Sequence, residues 1–431
     1  MFLEIVTSYK CGIVKCSTKK SVLMDTICKY REMVIFCINV VNSEWDKITS
    51  LASRLRVNFV EHLIHNTANN KAKYDFDKNF YKCPSYLRRG AIAAAIGHVG
   101  SYRSNLKNWE TNNKKDEEPK LPKEVKDFPC LYRDNMYVKE SSDTMYIKVF
   151  KDNDWKWITV KLKHNDVSYI LKHCIGKKES CPSLVKRGKV YFLSFTYTEY
   201  QELIDKPAAD YKVVGADLGL NTHAVCSVLD KEGTVYARKF IDIAYEKDQL
   251  NHVLNRIRKH QSLNMSTDIL WRKAKYLNSE ISRKTAKGII DFALVNKADC
   301  IVFEHLDVHG KKRGKRKQLL HHWKCQEIQN IVALRAHQNG MHISHICAWG
   351  TSKYAFDGSG EVKRDAKNYS LCTFTSRKRY NCDLSASYNI GARFFLRELN
   401  KLDSALSIIK TPQRTLQTLK DYNSGKLFKA A

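Results

Sequence analysis

The stretch Lys212–Leu229, KVVGADLGLNTHAVCSVL, constrains this chain most. Val213 and Val214 lead into Gly215 and Asp217, and the apolar run Ala224–Leu229 follows. Two β-rich runs joined by a glycine-bearing turn read as a hairpin. The hairpin carries one carboxylate, Asp217, at the end of its first strand.

Two later stretches repeat this design. Cys300–Leu306, CIVFEHL, sets Glu304 directly after the apolar run Ile301-Val302-Phe303. Arg379–Ile390, RYNCDLSASYNI, sets Asp383 where a helix can begin. A lone Asp after a strand is most often a turn or cap residue. Three acids in order, each beside apolar core, are harder to explain that way, because such acids can converge at one sheet edge. Converged carboxylates repel one another unless positive charge lies between them. Two magnesium ions would supply that charge and would suit phosphodiester cleavage.

The chain has 431 residues, room for two or three domains with real cores. Its 74 Lys and Arg against 45 Asp and Glu leave a net charge of +29. That excess calls for a polyanionic partner, and the many Tyr and Trp among the basic residues suit base stacking. No lipidation signal, basic amphipathic anchor or run of ~18 apolar residues points to a membrane. The opening MFLEIVTSYK holds an acid and no long apolar core, so no secretory signal is expected. The 14 cysteines are scattered with no CxxC, which reads as free thiols in a reducing cytoplasm.

In chain order, Met1–Val14 reads as a strand and Ser21 to about Asn69 as mostly helix. A long helix is expected over YLRRGAIAAAIGHVGSYRSNLKNW after Pro84-Ser85. Arg88, Arg89, Arg103 and Lys107 decorate it, with Tyr102 among them. A solvated basic face and a nucleic-acid face both fit these residues. Glu110–Asp127 is charged linker. Met145–Phe150, Trp155–Leu162 and Lys189–Thr198 alternate as strands and suggest a small antiparallel barrel. Gln249–His260 and Leu270–Val295 read as helices, then Leu319–His337 as a helix and Met341–Ala348 as a strand. Lys311, Lys312, Arg313, Lys315, Arg316 and Lys317 crowd around one glycine, a loop suited to a nucleic-acid backbone. Arg364, Arg377 and Arg379 lie close enough in sequence to Asp383 to contact a scissile phosphate. Leu384–Leu399 reads as helix, and residues 400–431 as a basic, partly disordered tail.

GADLGLN, IVFEHL and YNCDLSASYNI resemble the three acidic motifs of RuvC-type nuclease domains with an RNase H-like fold. The version here is most similar to TnpB, the insertion-sequence relative of type V CRISPR effectors. The resemblance spans roughly Val213–Phe395 well, and the N-terminal half more loosely through FYKCPSYLRRGAIAAAIGHVGSYRSNLKNW. It implies that Asp217, Glu304 and Asp383 bind the metal ions. It implies an α+β multidomain fold: an RNase H-like nuclease domain over 207–399, and a β-barrel over 136–206 begun by strand residues 1–20. A helical recognition lobe over 21–135 would be inserted into that barrel. Lobe and barrel would meet the guide–target duplex and the guide scaffold.

The resemblance fails at one place. The family reads roughly TSxxCSxCG and then FxCxxCG, a zinc ribbon, over the segment corresponding to 350–380. Here Thr351 and Ser352 are kept, but Ala355 and Gly358 stand where cysteines belong, and Thr375 replaces the partner of Cys372. One thiolate of four cannot make a tetrahedral structural site, so no zinc is expected. Tyr354, Phe356, Tyr369 and Phe374 could hold the segment instead.

The expectation is an RNA-guided DNA endonuclease that uses two magnesium ions, with guide RNA and target DNA as partners, homodimerisation left open and a cytoplasmic location. Two rivals stay open: a guide-dependent DNA-binding regulator that does not cut, and a guide-free, transposon-associated nuclease or recombinase.

Overall fold

The computed structural model describes residues 2–111, 117–219, 222–306, 324–402 and 414–426. The chain divides into two compact units: Val6–Glu199, and Tyr200–Ala431 together with Met1–Ile5.

The first unit is a curled sheet with helices inserted between its strands in chain order. Strand β1 (Phe2–Cys16) is followed by five helices: α1 (Ser21–Ser43), α2 (Trp45–Ser50), α3 (Ser53–Ile64), α4 (Phe76–Asn79) and α5 (Ser85–Thr111). Then come β2 (Tyr137–Lys139), β3 (Thr144–Lys151), β4 (Asp154–Leu162), α6 (His164–His173), β5 (Lys178–Glu179), β6 (Ser183–Arg187) and β7 (Val190–Glu202). The hydrogen-bonded order is β2-β3-β4-β1-β7-β5, with β6 also on β7. This is an open half-barrel; among the described residues no pairing joins its two ends, so the expected closed barrel is not formed. The N-terminal strand does enter the sheet, between β4 and β7.

Helix α1 holds this unit together. Its buried Leu23, Ile27, Tyr30, Val34, Ile38 and Val41 recur every three or four residues and form one stripe. That stripe shares a core with Leu87, Ile92 and Val99 of α5 and with Met145, Ile147 and Val149 of β3. Helix α6 has no counterpart in the sequence reading. Its buried side is only Val167 and Ile170, too short a period to stand out from sequence.

The second unit is a five-stranded mixed sheet between helices. Its strands are β8 (Val213–Asp217), β9 (Ala224–Leu229), β10 (Val235–Ile241), β11 (Cys300–His305) and β12 (His342–Cys347). They lie in the order β10-β9-β8-β11-β12. The first three are antiparallel neighbours; β11 runs parallel to both β8 and β12. Strands β8, β9 and β11 are buried on both faces and read as continuous apolar runs for that reason. One face packs on α8 (Asp268–Val295) and α9 (Cys325–Gln338) through Val214, Ala216, Ile301 and Phe303. The other packs on α10 (Cys382–Leu402) through Val213, Val225, Leu229 and Val302. Helix α7 (Ala244–Ser262) pairs with the first half of α8 through Val253, Leu254, Ile257, Leu270, Ala274 and Leu277. Strand β10 is absent from the sequence reading because four of its seven residues, Tyr236, Arg238, Lys239 and Phe240, are exposed and polar or aromatic.

Residues 400–431 are not simply a loose tail. Helix α11 (Leu416–Asn423) is begun by a capping box between Thr415 and Thr418, and it buries Leu416 and Leu419. The Leu416 amide donates to Asn389 Oδ1 at 3.1 Å, and the Gln417 amide to the Phe356 carbonyl at 2.9 Å. Eight residues with two buried leucines are too few to register as a periodic signal, which is why sequence missed them.

Helix α10 comes unusually close to the sheet. A side chain at Gly215 would run into the Ser387 carbonyl and the Gly391 amide, the acceptor and donor of one helical turn. A side chain at Gly391 would collide with Leu229. Overpacking normally costs ~1–3 kcal/mol, and backbone has little room to give. Gly215→Ala is therefore expected to destabilise the protein by about 3 kcal/mol or more. Gly97→Ala, on an open face of α5, should leave stability unchanged or raised by up to ~1 kcal/mol. Chemical denaturation of the two variants beside the parent checks both; equal destabilisation would overturn the argument.

Candidate active site

Asp217 and Glu304 end two neighbouring parallel strands. Ala216 pairs with Phe303, so the acids occupy the next step of the same register. Asp217 alternates with Val213, and Glu304 with Val302, so both face α10. Asp383 is the second residue of α10, at the helix end that favours negative charge. Asn381 fixes that start by accepting the Leu384 amide at 2.9 Å. The three sequence-predicted acids are thus brought to one sheet edge, two by strand register and one by helix packing.

Their electrostatics follow from this. All three carboxyls are half-buried. Burial, then the charges of Glu304 and Asp383, push the Asp217 carboxyl well above the usual range, while Arg364 pulls it back. Burial raises Asp383, again opposed by Arg364. Burial also raises Glu304, opposed by a hydrogen bond from Thr351 and by the charge of Arg393. Three hard oxygen donors, all raised by burial and one of them also by the charges of the other two, are a donor set suited to divalent magnesium. Among the described residues, however, no group of three His, Cys, Asp or Glu stands close enough to hold a metal ion as arranged.

Several residues that sequence reasoning did not assign hold Glu304 in place. The buried Thr351 donates to its carboxylate. Gln329 donates to the Glu304 carbonyl at 3.0 Å. The buried Asn389 donates to the carbonyls of Thr351 and Tyr354 at 3.0 and 2.9 Å. Arg393 donates to the carbonyls of Cys347 and Trp349 at 3.1 and 2.7 Å, fixing the turn that carries Thr351. The retained Thr351-Ser352 pair was the available signal for this network.

The segment that departs from the zinc ribbon is filled by side chains. It forms a small sheet of β13 (Lys363–Arg364), β14 (Leu371–Thr373) and β15 (Arg379–Asn381). Ala355, Cys372, Phe374 and Cys382 form a buried cluster beneath it. Phe356 lies 5.0, 5.1 and 5.6 Å from the rings of Tyr380, Tyr388 and Phe374. Gly358 makes a turn at φ 75°, where Asp357 Oδ1 accepts the Ser359 amide at 3.0 Å. Tyr369, expected to help hold the segment, is half exposed and lies under Arg364 of the same segment at 4.5 Å.

The basic candidates separate. Arg364 faces Asp217 and Asp383. Arg377 sits exposed on the tight turn between β14 and β15, and Arg379 lies 3.6 Å from Asp365. In the first unit, Arg88 must be corrected. It is only 5 % exposed, and its guanidinium donates to Glu61 at 2.9 and 3.1 Å, so it serves the helix packing and not a surface. A buried charge needs such a partner. Arg89 also pairs with Glu61 and donates to Asn58 at 2.7 Å, while remaining partly exposed. Arg103 donates to Asn42 Oδ1 at 2.8 Å, Tyr102 is half-buried, and Lys107 is exposed. Lys311, Lys312, Arg313, Lys315, Arg316 and Lys317 lie outside the described residues.

The raised carboxyls set a pH dependence. A folded pKa above the unfolded one means the folded state holds more protons, so stability falls as pH rises. Metal-free protein in chelator should therefore lose stability steadily from about pH 4 upward. Asp217→Asn should flatten that slope and raise the melting temperature at neutral pH. Thr351→Val removes a donor from Glu304 and should steepen it. Thermal melts of the three proteins across pH check this; a steeper slope in Asp217→Asn would overturn it.

The chain is similar to several known proteins. A family model described as the Aq_aa04 family matches residues 7–151. A TnpB-like protein, aq_aa05 of Aquifex aeolicus (strain VF5), is 26% identical over 254 residues, covering 53% of this chain and 81% of that protein. Among solved structures, the Cas12f1–sgRNA–target DNA complex aligns at 16% identity with a TM-score of 0.34, covering 90% of this chain and 99% of that one. CasPhi-2 (Cas12j) bound to crRNA and phosphorothioate-DNA aligns at 9% identity with a TM-score of 0.46, covering 90% and 91%. No described helix is long and apolar enough to cross a membrane.

Proposed function

We propose that this chain, similar over 254 residues to a TnpB-like protein, is an RNA-guided DNA endonuclease with a single RuvC-type site. The observation that carries this reading is the meeting of Asp217, Glu304 and Asp383 at one edge of the sheet. Strand order β10-β9-β8-β11-β12, three antiparallel strands continued by two parallel ones, supports an RNase H-like domain. The half-barrel with helices inserted after its first strand supports a separate guide-binding unit. The net charge of +29 suits a long polyanion.

In the proposed reaction, Asp217, Glu304 and Asp383 would hold two magnesium ions. Bound magnesium would activate water and stabilise the leaving oxygen of a phosphodiester. The chain's own residues supply the rest. Thr351 keeps Glu304 aimed at the site and nearer its ionised form. Arg364 places a positive charge against Asp217 and Asp383, where a scissile phosphate would come. Asn389 and Arg393 fix the turn beneath Thr351 and so limit its motion. None of these groups reads bases, so sequence specificity would come from pairing with a guide and a short flanking motif.

Asp217→Asn, Glu304→Gln and Asp383→Asn are each expected to abolish cleavage while leaving DNA binding nearly intact. Each removes one negative charge at almost constant volume. Plasmid cleavage in magnesium beside a gel-shift assay checks this, and near parental cutting by any one variant would remove that residue from the site. A parent that binds but never cuts would favour the regulator reading.

The guide is tested separately. Protein purified with its RNA should cut at sites complementary to that RNA. Protein stripped of RNA at high salt should not cut site-specifically until the RNA is returned. Site-specific double-strand cuts by stripped protein would sink the guided reading in favour of a guide-free nuclease.

A further inference from the structure

The row of side chains that contains the acids does not end at Asp217. Asp217 pairs with Val225 on β9, and Val225 pairs with Phe240 on β10. The alternation of β10 puts Ile241 on the opposite face, buried against Gly288 of α8. Phe240 therefore lies on the same face as Asp217 and Glu304, two strand spacings or about 10 Å from Asp217. Yet Phe240 is 47 % exposed, at the open edge of the sheet. An exposed phenyl ring gains nothing from solvent, and edge strands more often carry charge or proline.

Its same-face neighbour along β10 is Arg238, paired with Ser227 and exposed. Arg238 stands beside the hydroxyls of Tyr380 and Tyr388, which lie 3.1 Å apart. Among the described residues no carboxylate pairs with it, so its charge is not neutralised. The two tyrosines belong to β15 and α10, the elements that flank Asp383. They orient the guanidinium without cancelling it. An aromatic face and an unneutralised guanidinium, one strand step apart beside an acidic centre, match the two recurring contacts of single-stranded nucleic acid: stacking and phosphate.

We propose that Phe240 and Arg238 form a single-strand subsite beside the acids, in which Phe240 stacks one unpaired base and Arg238 takes the adjoining phosphate. The subsite rests on the nuclease reading for what is cut next to it, but its binding chemistry does not require cutting. An unpaired base is needed, because only an exposed base face can lie on the ring; in a duplex both faces are already stacked. The subsite would hold one displaced nucleotide about one residue from the bond placed at Asp217 and Glu304. It would thereby favour single strands at this centre without reading their sequence.

The test uses the full chain with its copurified RNA, on an Asp217→Asn background that cannot cut. The probe is a single-stranded DNA oligonucleotide carrying one 2-aminopurine, moved stepwise along the strand. In the parent, fluorescence should be quenched on binding at one position. Phe240→Ala should abolish that quenching and weaken binding roughly 5- to 150-fold, the usual loss for one base–aromatic stack. Phe240→Tyr, which keeps the ring, should retain both. Arg238→Ala should leave the quenching but reduce the log–log salt slope of binding by about 0.7, one single-strand phosphate. Equal affinity and equal quenching in Phe240→Ala and its parent would overturn the subsite, as would a parent that shows neither. A parent with the subsite intact, but whose Asp217 form does not cleave, would count against the nuclease reading alone.

Discussion

The second unit depends on how closely α10 approaches the sheet. Two glycines set that distance: Gly215 under the Ser387–Gly391 turn, and Gly391 against Leu229. A methyl group at either would lift the helix from the strands. The consequence reaches the site directly, because α10 begins at Cys382 and its second residue is Asp383. Strand register alone brings Asp217 and Glu304 together. Only close helix packing adds the third acid. The helix also carries Arg393, which holds the turn before Thr351, and Asn389, which holds the carbonyls of Thr351 and Tyr354. One packing distance thus fixes both the acid and the donors that orient its neighbour.

The burial of these carboxyls works against stability. The acids are raised by burial and, at Asp217, by each other's charge, so the metal-free fold keeps charges it would be more stable without. Raised carboxyls of this kind cluster at sites of chemistry, which accords with the proposed function. The surroundings limit the cost to stability. Arg364 reaches the acids from the small sheet above them, and Thr351 supplies a hydroxyl to Glu304. The segment bearing both keeps its shape through the packed rings of Phe356, Phe374, Tyr380 and Tyr388. A buried cluster of Ala355, Cys372, Phe374 and Cys382 beneath the small sheet also holds the same segment.

The first unit follows a different logic. Its core is organised by the long apolar stripe of α1, against which α5 and β3 pack. Basic residues there divide by burial. Arg88 is consumed by Glu61, Arg89 partly so, and Lys107 is left to solvent. A row of arginines on a helix is therefore no measure of the charge it presents. Side chains near a helix–helix contact are drawn into ion pairs, while those a turn or two further on remain available.

Much of this protein was legible in its sequence. Apolar runs ending in an acid identified Asp217 and Glu304, since a buried strand leaves few other reasons for a carboxylate at its end. Asp383 was legible as a helix start, and the stripe of α1 as a long amphipathic helix. That the segment 350–380 holds no CxxC could also be read directly. Tertiary structure alone decided the rest. Strand β10 and helix α11 carry too few buried residues to make a period, and gain their order from the partners they meet. The fate of Arg88 turned on Glu61, a residue 27 positions away. Thr351 became the partner of Glu304 across 47 residues, and Phe240 joined the row of Asp217 through two strand pairings. Local sequence encodes periods, caps and strand ends because these depend on near neighbours. Which distant side chains share a row or a hydrogen bond depends on packing distances that no local pattern contains.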